Sequence, residues 1–269
     1  MDKGFYGTIT LKGKIKVLTG LHIGCQREVA EIGGVDNPII KDPLTQLPYI
    51  PGSSLKGKLR ALWEIYNNTL QPPEKRGRGE GKFFNRKSGK DTYIHACDSY
   101  EKAINCPVCR LFGSSGYKNS LNCPSRVLVR DCHLTEEWRK RFENGEATTE
   151  IKNENAMDRI TASTNPRPQE RIPPGVEFDF EIVYVIEDDK WREDIKNLLS
   201  AMKMLEDSYL GGSGSRGYGK VAFELEGIIY KDRDYYTGKN KEVNLIDEKL
   251  SVRDLGENEF NGIFNKINI

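Results

Sequence analysis

The stretch from Tyr209 to Val221, Tyr-Leu-Gly-Gly-Ser-Gly-Ser-Arg-Gly-Tyr-Gly-Lys-Val, contains five glycines within nine residues. Apolar residues recur at helical spacing before it, from Trp191 onward, and alternate as in a strand after it. A helix cap and turn would need only one or two glycines. Glycine allows close approaches that a side chain would block, so backbone amides can contact a phosphate. With Arg216 and Lys220 in it, the loop predicts a site for a phosphodiester backbone.

Two nucleotide-binding motifs can be traced in this glycine loop (residues 209–221), but their context is wrong. Gly212-x-Gly214-x-x-Gly217 matches the dinucleotide fingerprint, and a second glycine pattern ending at Lys220 nearly matches a P-loop. Both motifs follow a strand and open a helix, the reverse of the order here. Residues 216–223 match the RNA-recognition-motif signature except that Lys220 stands where an aromatic ring is expected. The missing ring favours contacts to an RNA backbone over base stacking.

Hydrophobic periodicity places four strands and two helices along the chain. Strands are predicted at 8–17, 126–134, 176–186 and 220–230, and helices from Ser53 or Ser54 and at 191–209. Residues 70–125 and 135–175 are polar and turn-rich, and we interpret them as two insertions into a single domain spanning 1–269. Without them the order is β-α-β-β-α-β, a ferredoxin-like α+β fold shared by RRM domains. The segment after Tyr230 gives no clear pattern.

Composition limits the classes of protein that fit. Charged residues make up 30% of the chain, mean hydropathy is −0.63, and no apolar run is long enough to cross a membrane. The N-terminus lacks the apolar stretch of a signal peptide, so we expect a cytoplasmic protein without a membrane partner. The net charge is +1, yet residues 53–90 carry ten Lys and Arg against three Glu. This region is either a solvated basic surface or a surface that attracts a polyanion.

A group of histidine and cysteine residues in the first insertion predicts a metal site. His95, Cys97, Cys106 and Cys109 form a Cys3His set that includes a Cys-x-x-Cys turn. Four such ligands leave no open position, so the pattern indicates structural zinc rather than a catalytic metal. A redox-active Cys-x-x-Cys is the alternative, but it requires a thioredoxin-like setting that the flanking sequence lacks. Further candidates that could replace one ligand are Cys123, Cys132 and His133, whereas Cys25 is interpreted as a small buried residue.

The start of the first helix is a candidate anion site. Ser53 or Ser54 is predicted to cap it, and a helix N-terminus offers unpaired amides and a positive dipole end. Lys56 and Arg60 are four residues apart and so share one face. An ordinary capped helix with a solvated basic side is the alternative. The buried face is predicted to consist of Leu55, Leu59, Leu62, Trp63 and Tyr66.

Residues 19–52 are predicted to form a long structured loop, and it carries two candidate catalytic residues. Asp36 lies in Gly-Gly-Val-Asp-Asn-Pro, where a carboxylate also commonly closes a turn. His22 lies between Gly20 and Gly24, where it is either a general base or a histidine that simply satisfies the loop. No Ser-His-Asp or paired-carboxylate spacing is visible in the sequence.

Seven motifs in this order make the chain resemble the RAMP superfamily, and within it the backbone subunits of type III-A CRISPR interference complexes. They are Gly20–Gly24, Val35–Pro43, Tyr49–Arg60, Cys106–Gly113, Asp158–Ser163, Glu170–Gly175 and Gly211–Val221. The resemblance runs from about residue 5 to residue 230. It implies a filament of copies of this chain along a CRISPR guide RNA, with target RNA and other Csm subunits as further partners.

The resemblance also assigns roles. The insertion at 70–125 would be a lid with the zinc site, and the insertion at 135–175 a thumb that separates guide and target bases. The RNA-binding residues would be His22, Ser53, Ser54, Lys56, Arg60, Arg159, Arg171, Gly212, Gly214, Ser215, Arg216, Gly217 and Tyr218. Asp36 would cleave target RNA at regular intervals with magnesium or another divalent ion. The alternatives are a non-catalytic scaffold and a metal-free precursor-RNA nuclease that uses His22.

Overall fold

The structure is a computed structural model, and it describes residues 4–24, 37–115 and 121–267. Its elements, in chain order, are β1 (Gly7–Val17), α1 (Gly52–Thr69), β2 (Arg86–Ser88), β3 (Thr92–Ile94), α2 (Tyr100–Ala103), α3 (Cys109–Phe112), β4 (Val127–Val129), α4 (Glu136–Glu143), β5 (Glu150–Met157), β6 (Thr164–Arg171), β7 (Glu177–Ile186), α5 (Trp191–Asp207), β8 (Val221–Asp232), β9 (Val243–Asn244), β10 (Leu250–Ser251) and α6 (Glu257–Phe264).

An antiparallel sheet with helices forms the centre of this mixed α/β fold. The strands lie in the order β8-β1-β7-β4, and α1 and α5 contact each other and contribute to the same hydrophobic core. The element order β1-α1-β4-β7-α5-β8 is the predicted β-α-β-β-α-β order. The second of these strands is shorter than predicted: β4 covers three residues instead of 126–134.

Alternation in the sequence decides which face of the sheet is buried. In β1 the side chains of Ile9, Leu11, Ile15 and Val17 are fully buried, and β7 buries Phe178, Phe180 and Ile182 in the same way. Helix α5 covers this face with an apolar stripe that includes Leu198 and Met202. The strands predicted at 8–17 and 176–186 and the second helix are therefore confirmed in type and in the face that they bury.

Helix α1 departs from the prediction at both ends. It starts at Gly52 after Pro51, and no side chain caps it. The amide of Gly52 instead donates to the Asp131 carboxylate at 2.7 Å, so the prediction that Ser53 or Ser54 is the cap is wrong. Tyr66, predicted to be buried, is 43% exposed because the buried face of the helix runs through Trp63 and Asn67 and leaves Tyr66 at its edge.

The two insertions contain structure that the sequence pattern did not predict. In residues 70–125 the strands β2 and β3 form a hairpin, followed by the short helices α2 and α3. In residues 135–175 the strands β5 and β6 form an eight-pair hairpin separate from the main sheet. Pro166 and Pro168 made β6 hard to recognise in the sequence, because proline is uncommon within strands. The two prolines are two residues apart, so both of their nitrogens face the same edge of β6. In a two-stranded hairpin that edge has no partner strand, so the missing N–H groups cost no hydrogen bond.

The segment after Tyr230 covers an edge and part of the open face of the sheet. Both β9 and β10 pair with β8, and α6 packs on α5 with the rings of Phe264 and Trp191 6.2 Å apart. The hydroxyl of Tyr236 lies 2.9 Å from that of Thr8, which is buried although it belongs to the polar side of β1. None of the helices in the described ranges is long and apolar enough to cross a membrane.

Candidate functional site

The glycine loop packs directly on the loop formed by residues 20–24. The amide of Gly212 donates to the His22 carbonyl at 2.8 Å, and the amide of Gly219 donates to the Gly20 carbonyl at 2.9 Å. Gly211 has φ 76°, and a Cβ there would lie 2.2 Å from the His22 carbonyl oxygen. Part of the glycine content is therefore required by contact between two loops of the protein.

The middle of the glycine loop remains accessible. A short 3-10 turn at Gly214–Arg216 follows Ser213, and Ser215, Arg216 and Gly217 are exposed. Gly217 has φ 84°, and a Cβ at this position would meet no atom within 4 Å, so its conformation rather than packing requires glycine. This stretch presents backbone and one guanidinium to solvent, as contact with a phosphate requires.

Tyr218 and Arg171 connect the glycine loop to the β5–β6 hairpin. Tyr218 is 2% exposed, and its hydroxyl donates to the Glu154 carboxylate at 2.8 Å. Arg171 lies over the Tyr218 ring at 5.0 Å and donates to Glu150 at 2.6 Å. Burial and the Glu154 carboxylate raise the pKa of Tyr218 to about 12. Both residues were predicted to bind RNA, and in this structure both make contacts within the protein.

His22 is buried, and its ring is fixed by a backbone carbonyl. Its Nδ1 lies 2.7 Å from the Glu170 carbonyl oxygen, so the neutral ring carries its hydrogen on Nδ1 and donates it. Glu170 was not singled out from the sequence, although it begins the quoted Glu170–Gly175 motif. Its carboxylate accepts hydrogen bonds from Lys41 at 2.7 Å, Thr149 at 2.6 Å and the Ile39 amide at 3.0 Å.

Glu170 remains ionised in this position. Burial by itself raises the pKa of its carboxyl group, but the hydrogen bonds from Lys41, Thr149 and Ile39 outweigh it and lower the pKa. Its amide also donates to the Asn37 carbonyl at 3.1 Å. We call the residues His22, Asn37, Glu170 and Gly212 the loop junction, because three loops meet there.

Asp36 lies outside the described residues, but the described residues on either side of it in the chain lie at or beside the loop junction. Gly24 pairs with Ile39, and the Ile40 amide donates to the Ile23 carbonyl at 2.8 Å. Asn37 forms a bridge with Gln169, whose side chain lies 3.3 Å from the Ser213 hydroxyl. Asp36 therefore immediately precedes a residue that contacts the hairpin next to the glycine loop.

The two cations predicted to bind an anion on α1 make contacts within the protein. Ser53 is exposed and Ser54 is partly so, but the Lys56 ammonium donates to the Ser125 hydroxyl at 2.8 Å, and burial lowers its pKa. Arg60 donates to Glu64 at 2.7 Å and to the His95 carbonyl at 2.8 Å. Burial raises the pKa of Glu64 even though Arg60 is beside it. Arg60 thus links α1 to the histidine–cysteine group.

Two further cations lie on α1 and at the turn of the β5–β6 hairpin. Lys58, which no sequence pattern singled out, lies 3.7 Å above the Tyr209 ring and so connects α1 to the glycine loop. Arg159 is exposed at the turn of the β5–β6 hairpin, next to Ile160, which is 94% exposed. The structure therefore groups His22, the glycine loop and the hairpin base, and it places Arg159 at the hairpin tip.

The four predicted metal ligands converge. The ligand atoms of His95, Cys97, Cys106 and Cys109 all lie within 4.8 Å of one another. His95 Nε2 is 3.2 Å from the Cys106 sulfur and 3.6 Å from the Cys97 sulfur. Zinc–sulfur bonds of about 2.3 Å in a tetrahedron separate sulfur ligands by about 3.8 Å. The cluster could therefore hold a metal ion and is compatible with zinc.

The surroundings of the cluster orient its histidine and polarise its thiols. His95 Nδ1 bonds the Phe83 carbonyl at 2.8 Å, which directs Nε2 towards the sulfurs. Hydrogen bonds from Cys109 and Cys97 lower the pKa of Cys106, whereas the hydrogen bond with Cys106 raises the pKa of Cys97. The lowered pKa favours the Cys106 thiolate, which is the form that binds a cation.

The proposed replacement ligands lie elsewhere, and Cys25 falls outside the described residues. Cys132 pairs with Ile50, and burial raises its pKa to about 12; His133 stacks on Tyr49 with ring centroids 5.9 Å apart. Cys123 packs beside Cys109, with its sulfur 3.9 Å from the Cys109 carbonyl oxygen. Across residues 4–24, 37–115 and 121–267, the His95 cluster is the single group of His, Cys and acidic residues with metal-binding spacing.

The chain matches a known class of protein over most of its length. The family model of the RAMP superfamily matches residues 14–222, and the chain belongs to this superfamily. A Methanocaldococcus jannaschii protein named CRISPR system Cms endoribonuclease Csm3 is 40% identical over 266 residues, covering 97% of this chain and 96% of that protein. A Streptococcus thermophilus protein of the same name is 40% identical over 223 residues, covering 81% and 88%.

Solved structures agree with this assignment. The Methanopyrus kandleri Csm3 crystal structure matches with a TM-score of 0.68 and 26% identity, covering 98% of this chain and 99% of that chain. The Csm3–Csm4 subcomplex in the type III-A CRISPR-Cas interference complex matches with a TM-score of 0.60 and 29% identity, covering 98% of both chains. Within the RAMP superfamily, the chain is therefore a member of the Csm3 family.

Proposed function

We propose that this chain is the backbone subunit of a type III-A CRISPR RNA-guided complex and an endoribonuclease that cleaves target RNA. The observation that carries the proposal is the 40% identity to a protein named endoribonuclease Csm3 over almost the whole length of both chains. Copies of the chain would line up along the guide RNA together with other Csm subunits. The insertion at 70–125 would be the lid and the β5–β6 hairpin the thumb.

The exposed part of the glycine loop would hold the RNA backbone. Ser215, Arg216 and Gly217 combine solvent-facing backbone with one positive charge. Gly212, Gly214 and Tyr218 would support this surface through their contacts with His22, Tyr209 and Glu154. Arg159 and Ile160, both exposed at the hairpin turn, would reach the guide–target duplex.

We further propose that Asp36 assists cleavage. The loop junction holds both ends of its loop beside the glycine loop, so the carboxylate would lie near the bound backbone. Glu170 is occupied by Lys41, Thr149 and Ile39, so it does not offer a second free carboxylate there. A divalent ion such as magnesium would supply charge stabilisation at the reacting phosphate, with RNA oxygens as its other ligands.

The geometry disfavours one of the two alternatives, the nuclease that uses His22. His22 is buried and its Nδ1 is bound to a carbonyl, so it suits fixing the loop better than acting as a general base on RNA. A non-catalytic scaffold would use the same binding surfaces but would not need Asp36. The histidine–cysteine cluster is proposed to hold structural zinc in every case, since its four ligands leave no open position.

The test compares Asp36→Ala with Asp42→Ala in the assembled complex loaded with guide RNA. Asp42 is a suitable control because its exposed carboxylate closes a turn by accepting from the Leu44 and Thr45 amides. Asp36→Ala should abolish regularly spaced cleavage while leaving assembly and target affinity close to wild type. Asp42→Ala should cleave normally. Wild-type cleavage by Asp36→Ala would refute the assigned role.

A further inference from the structure

Residues 75–84, Lys-Arg-Gly-Arg-Gly-Glu-Gly-Lys-Phe-Phe, form a closed loop that we call the RG loop. The Phe83 amide donates to the Lys75 carbonyl at 2.8 Å, and the Phe84 amide donates to the Gly77 carbonyl at 3.0 Å. The glycines at 77, 79 and 81 have φ of 94°, 106° and 74°, and added Cβ atoms would meet nothing within 4 Å. These glycines therefore bend the loop without packing against anything.

The RG loop and the β2–β3 hairpin after it carry positive charge that the protein does not neutralise. In the described part of the chain no carboxylate forms an ion pair with Lys75, Arg76, Arg78, Lys82, Lys87 or Lys90. Arg76 and Lys82 bond only backbone carbonyls, of Gln71 and Glu74. By contrast, the three lysines on the open face of β1 all pair with glutamates. The charge of the RG loop is thus available to a partner.

The chemistry of the RG loop selects a phosphodiester backbone over a protein surface. Protein interfaces depend on apolar anchors at their centre. Phe83 and Phe84 are only partly exposed and pack edge-to-face on each other, with centroids 5.5 Å apart. Phosphate contacts need mobile cations and no apolar anchor. We propose that the RG loop is a second RNA-backbone site, separate from the glycine loop; this rests on the RNA-guided function proposed above.

Helix α1 keeps the two sites apart. Lys58 contacts Tyr209 at the glycine loop, whereas the side chain of Asn68 accepts a hydrogen bond from the Gly77 amide at 3.1 Å. These positions on α1 are ten residues apart, about 15 Å at 1.5 Å per residue. A phosphate held by Arg216 and one held by Arg78 would therefore be different phosphates.

The histidine–cysteine cluster anchors the RG loop. The Phe83 ring stacks on His95 with centroids 4.0 Å apart and an angle of 7°, and its carbonyl accepts from His95 Nδ1. One residue further from the loop, Asn85 bonds both the amide and the carbonyl of Ala96, at 3.1 and 2.9 Å. Metal bound at the cluster would fix His95, and through Phe83 it would fix the position of the RG loop.

The binding test compares Lys75→Gln/Arg78→Gln, both in the RG loop, with Arg233→Gln/Lys241→Gln. Each variant loses one exposed Arg and one exposed Lys, but the control pair lies in the segment after β8. The salt dependence of affinity is measured separately for guide RNA binding by the free chain and for target RNA binding by the assembled complex. The slope is that of the logarithm of affinity against the logarithm of salt concentration. The first variant should reduce one of the two slopes by about 1.4 to 1.8, because it loses two phosphate contacts, whereas the control should match wild type.

A change in the slope for guide RNA would assign the bound phosphate to the guide, and a change in the slope for target RNA would assign it to the target. Unchanged slopes in both arms, or an equal change in the control, would overturn the proposal. Weakened association between copies with unchanged slopes would instead assign the loop to an acidic protein surface and also overturn it. The outcome is independent of catalysis, since the Asp36→Ala cleavage assay can fail while these binding slopes still differ.

The anchoring step has its own readout in limited digestion with trypsin. Removal of metal with a chelator should speed cleavage after Arg76, Arg78 and Lys82 at least several-fold, and Cys97→Ser should do the same without a chelator. Cleavage after Arg233 is the internal control and should not change. If metal removal left cleavage of the RG loop at the wild-type rate, the cluster would not be its anchor.

Discussion

Arg110 donates from Nε to the Asp194 carboxylate at 2.6 Å, and both side chains are at most 5% exposed. Arg110 follows the metal-ligand candidate Cys109, and Asp194 lies in the first turn of α5. Arg126, Asp188 and Tyr184 complete the network: Tyr184 donates to Asp194 at 2.6 Å, and Arg126 donates to Asp188 at 2.8 Å. This network fastens the metal-binding insertion to the core of the sheet.

We expect Asp194→Asn to lower the free energy of unfolding by about 3–5 kcal/mol, because it leaves buried guanidinium groups with too little negative charge. Asp207→Asn is the matched control on the same helix, since its carboxylate is exposed and surface pairs contribute at most about 1 kcal/mol. Urea denaturation of both variants measures the difference. Equal stability of the two variants would show that the network does not hold the insertion.

Acid should weaken the same network. Burial by itself raises the pKa of Asp188, but Arg126 and Arg110 outweigh it, and the folded pKa lies well below the ordinary value. A depressed carboxyl pKa stabilises the fold above the pKa of the unfolded chain, and that contribution is lost as pH falls towards the folded value. Thermal melts from pH 6 downward should therefore show a loss below about pH 4 that is smaller in Asp188→Asn.

Zinc binding should depend on the sulfur atom of Cys109. Cys109→Ser should strongly reduce bound zinc, which in the wild-type protein should be close to one ion per chain by elemental analysis. Cys132→Ser is the control because Cys132 is buried but lies outside the cluster. Hydrogen exchange after metal removal should rise in the segment 83–106 and remain low in β1 and β7. Wild-type protein that purifies without metal would contradict the assignment.

Local pattern was sufficient for the strands and helices that form the core. Ile9 to Val17 and Phe178 to Ile182 alternate because one face of the sheet is buried, and this leaves a period of two in the sequence. The β5–β6 hairpin and the segment after Tyr230 were missed for different reasons. The first contains prolines, and in the second the strands β9 and β10 are two residues long and depend on pairing with β8.

Long-range contacts explain where the site differed from the prediction. Gly52 uses Asp131 as its hydrogen-bond acceptor, 79 positions away, so no local pattern could show that Ser53 and Ser54 are not caps. Arg60 reaches the His95 carbonyl across 35 positions, and the glycine loop is fixed by His22. The cysteine spacing, in contrast, identified all four members of the metal cluster, because a tight Cys-x-x-Cys turn is a local requirement.

Replacing Arg216 and replacing Arg60 should therefore have different effects on RNA binding and on stability. Arg216→Ala should weaken guide RNA binding for all sequences and reduce the salt slope by about 1, because in the proposed function its exposed guanidinium would contact one phosphate. Arg60→Ala should mainly destabilise the metal-binding insertion, since it breaks contacts with Glu64, Gly113 and His95. Filter binding over a range of salt separates the two. If the Arg60→Ala variant with metal bound also showed a reduced salt slope, that result would support the predicted contact between Arg60 and RNA.

The chemistry of cleavage can be tested through the RNA. If Asp36 and a divalent ion assist attack by the 2′-hydroxyl, the hydroxyl gives up its proton to water and its oxygen bonds to the adjacent phosphorus. The bond from phosphorus to the 5′-oxygen of the next nucleotide breaks, and that oxygen takes a proton from water. The products are then a 2′,3′-cyclic phosphate and a 5′-hydroxyl end. A single carboxylate is enough to assist such an internal nucleophile, which is already held close to the phosphorus.

Target RNA with a 2′-deoxynucleotide immediately 5′ to each cut should therefore resist cleavage, whereas a deoxynucleotide one position further away should be cut normally. EDTA should stop cleavage of unmodified target RNA and of the second substrate without releasing either from the complex. Cleavage is followed on denaturing gels, and the chemistry of the ends is read by phosphatase and kinase treatment. Normal cutting at deoxy positions would mean that water is the nucleophile. Cleavage that persists in EDTA would exclude a divalent ion from the mechanism. It would favour the alternative in which His22 acts through Nε2, the ring nitrogen that is not bound to Glu170.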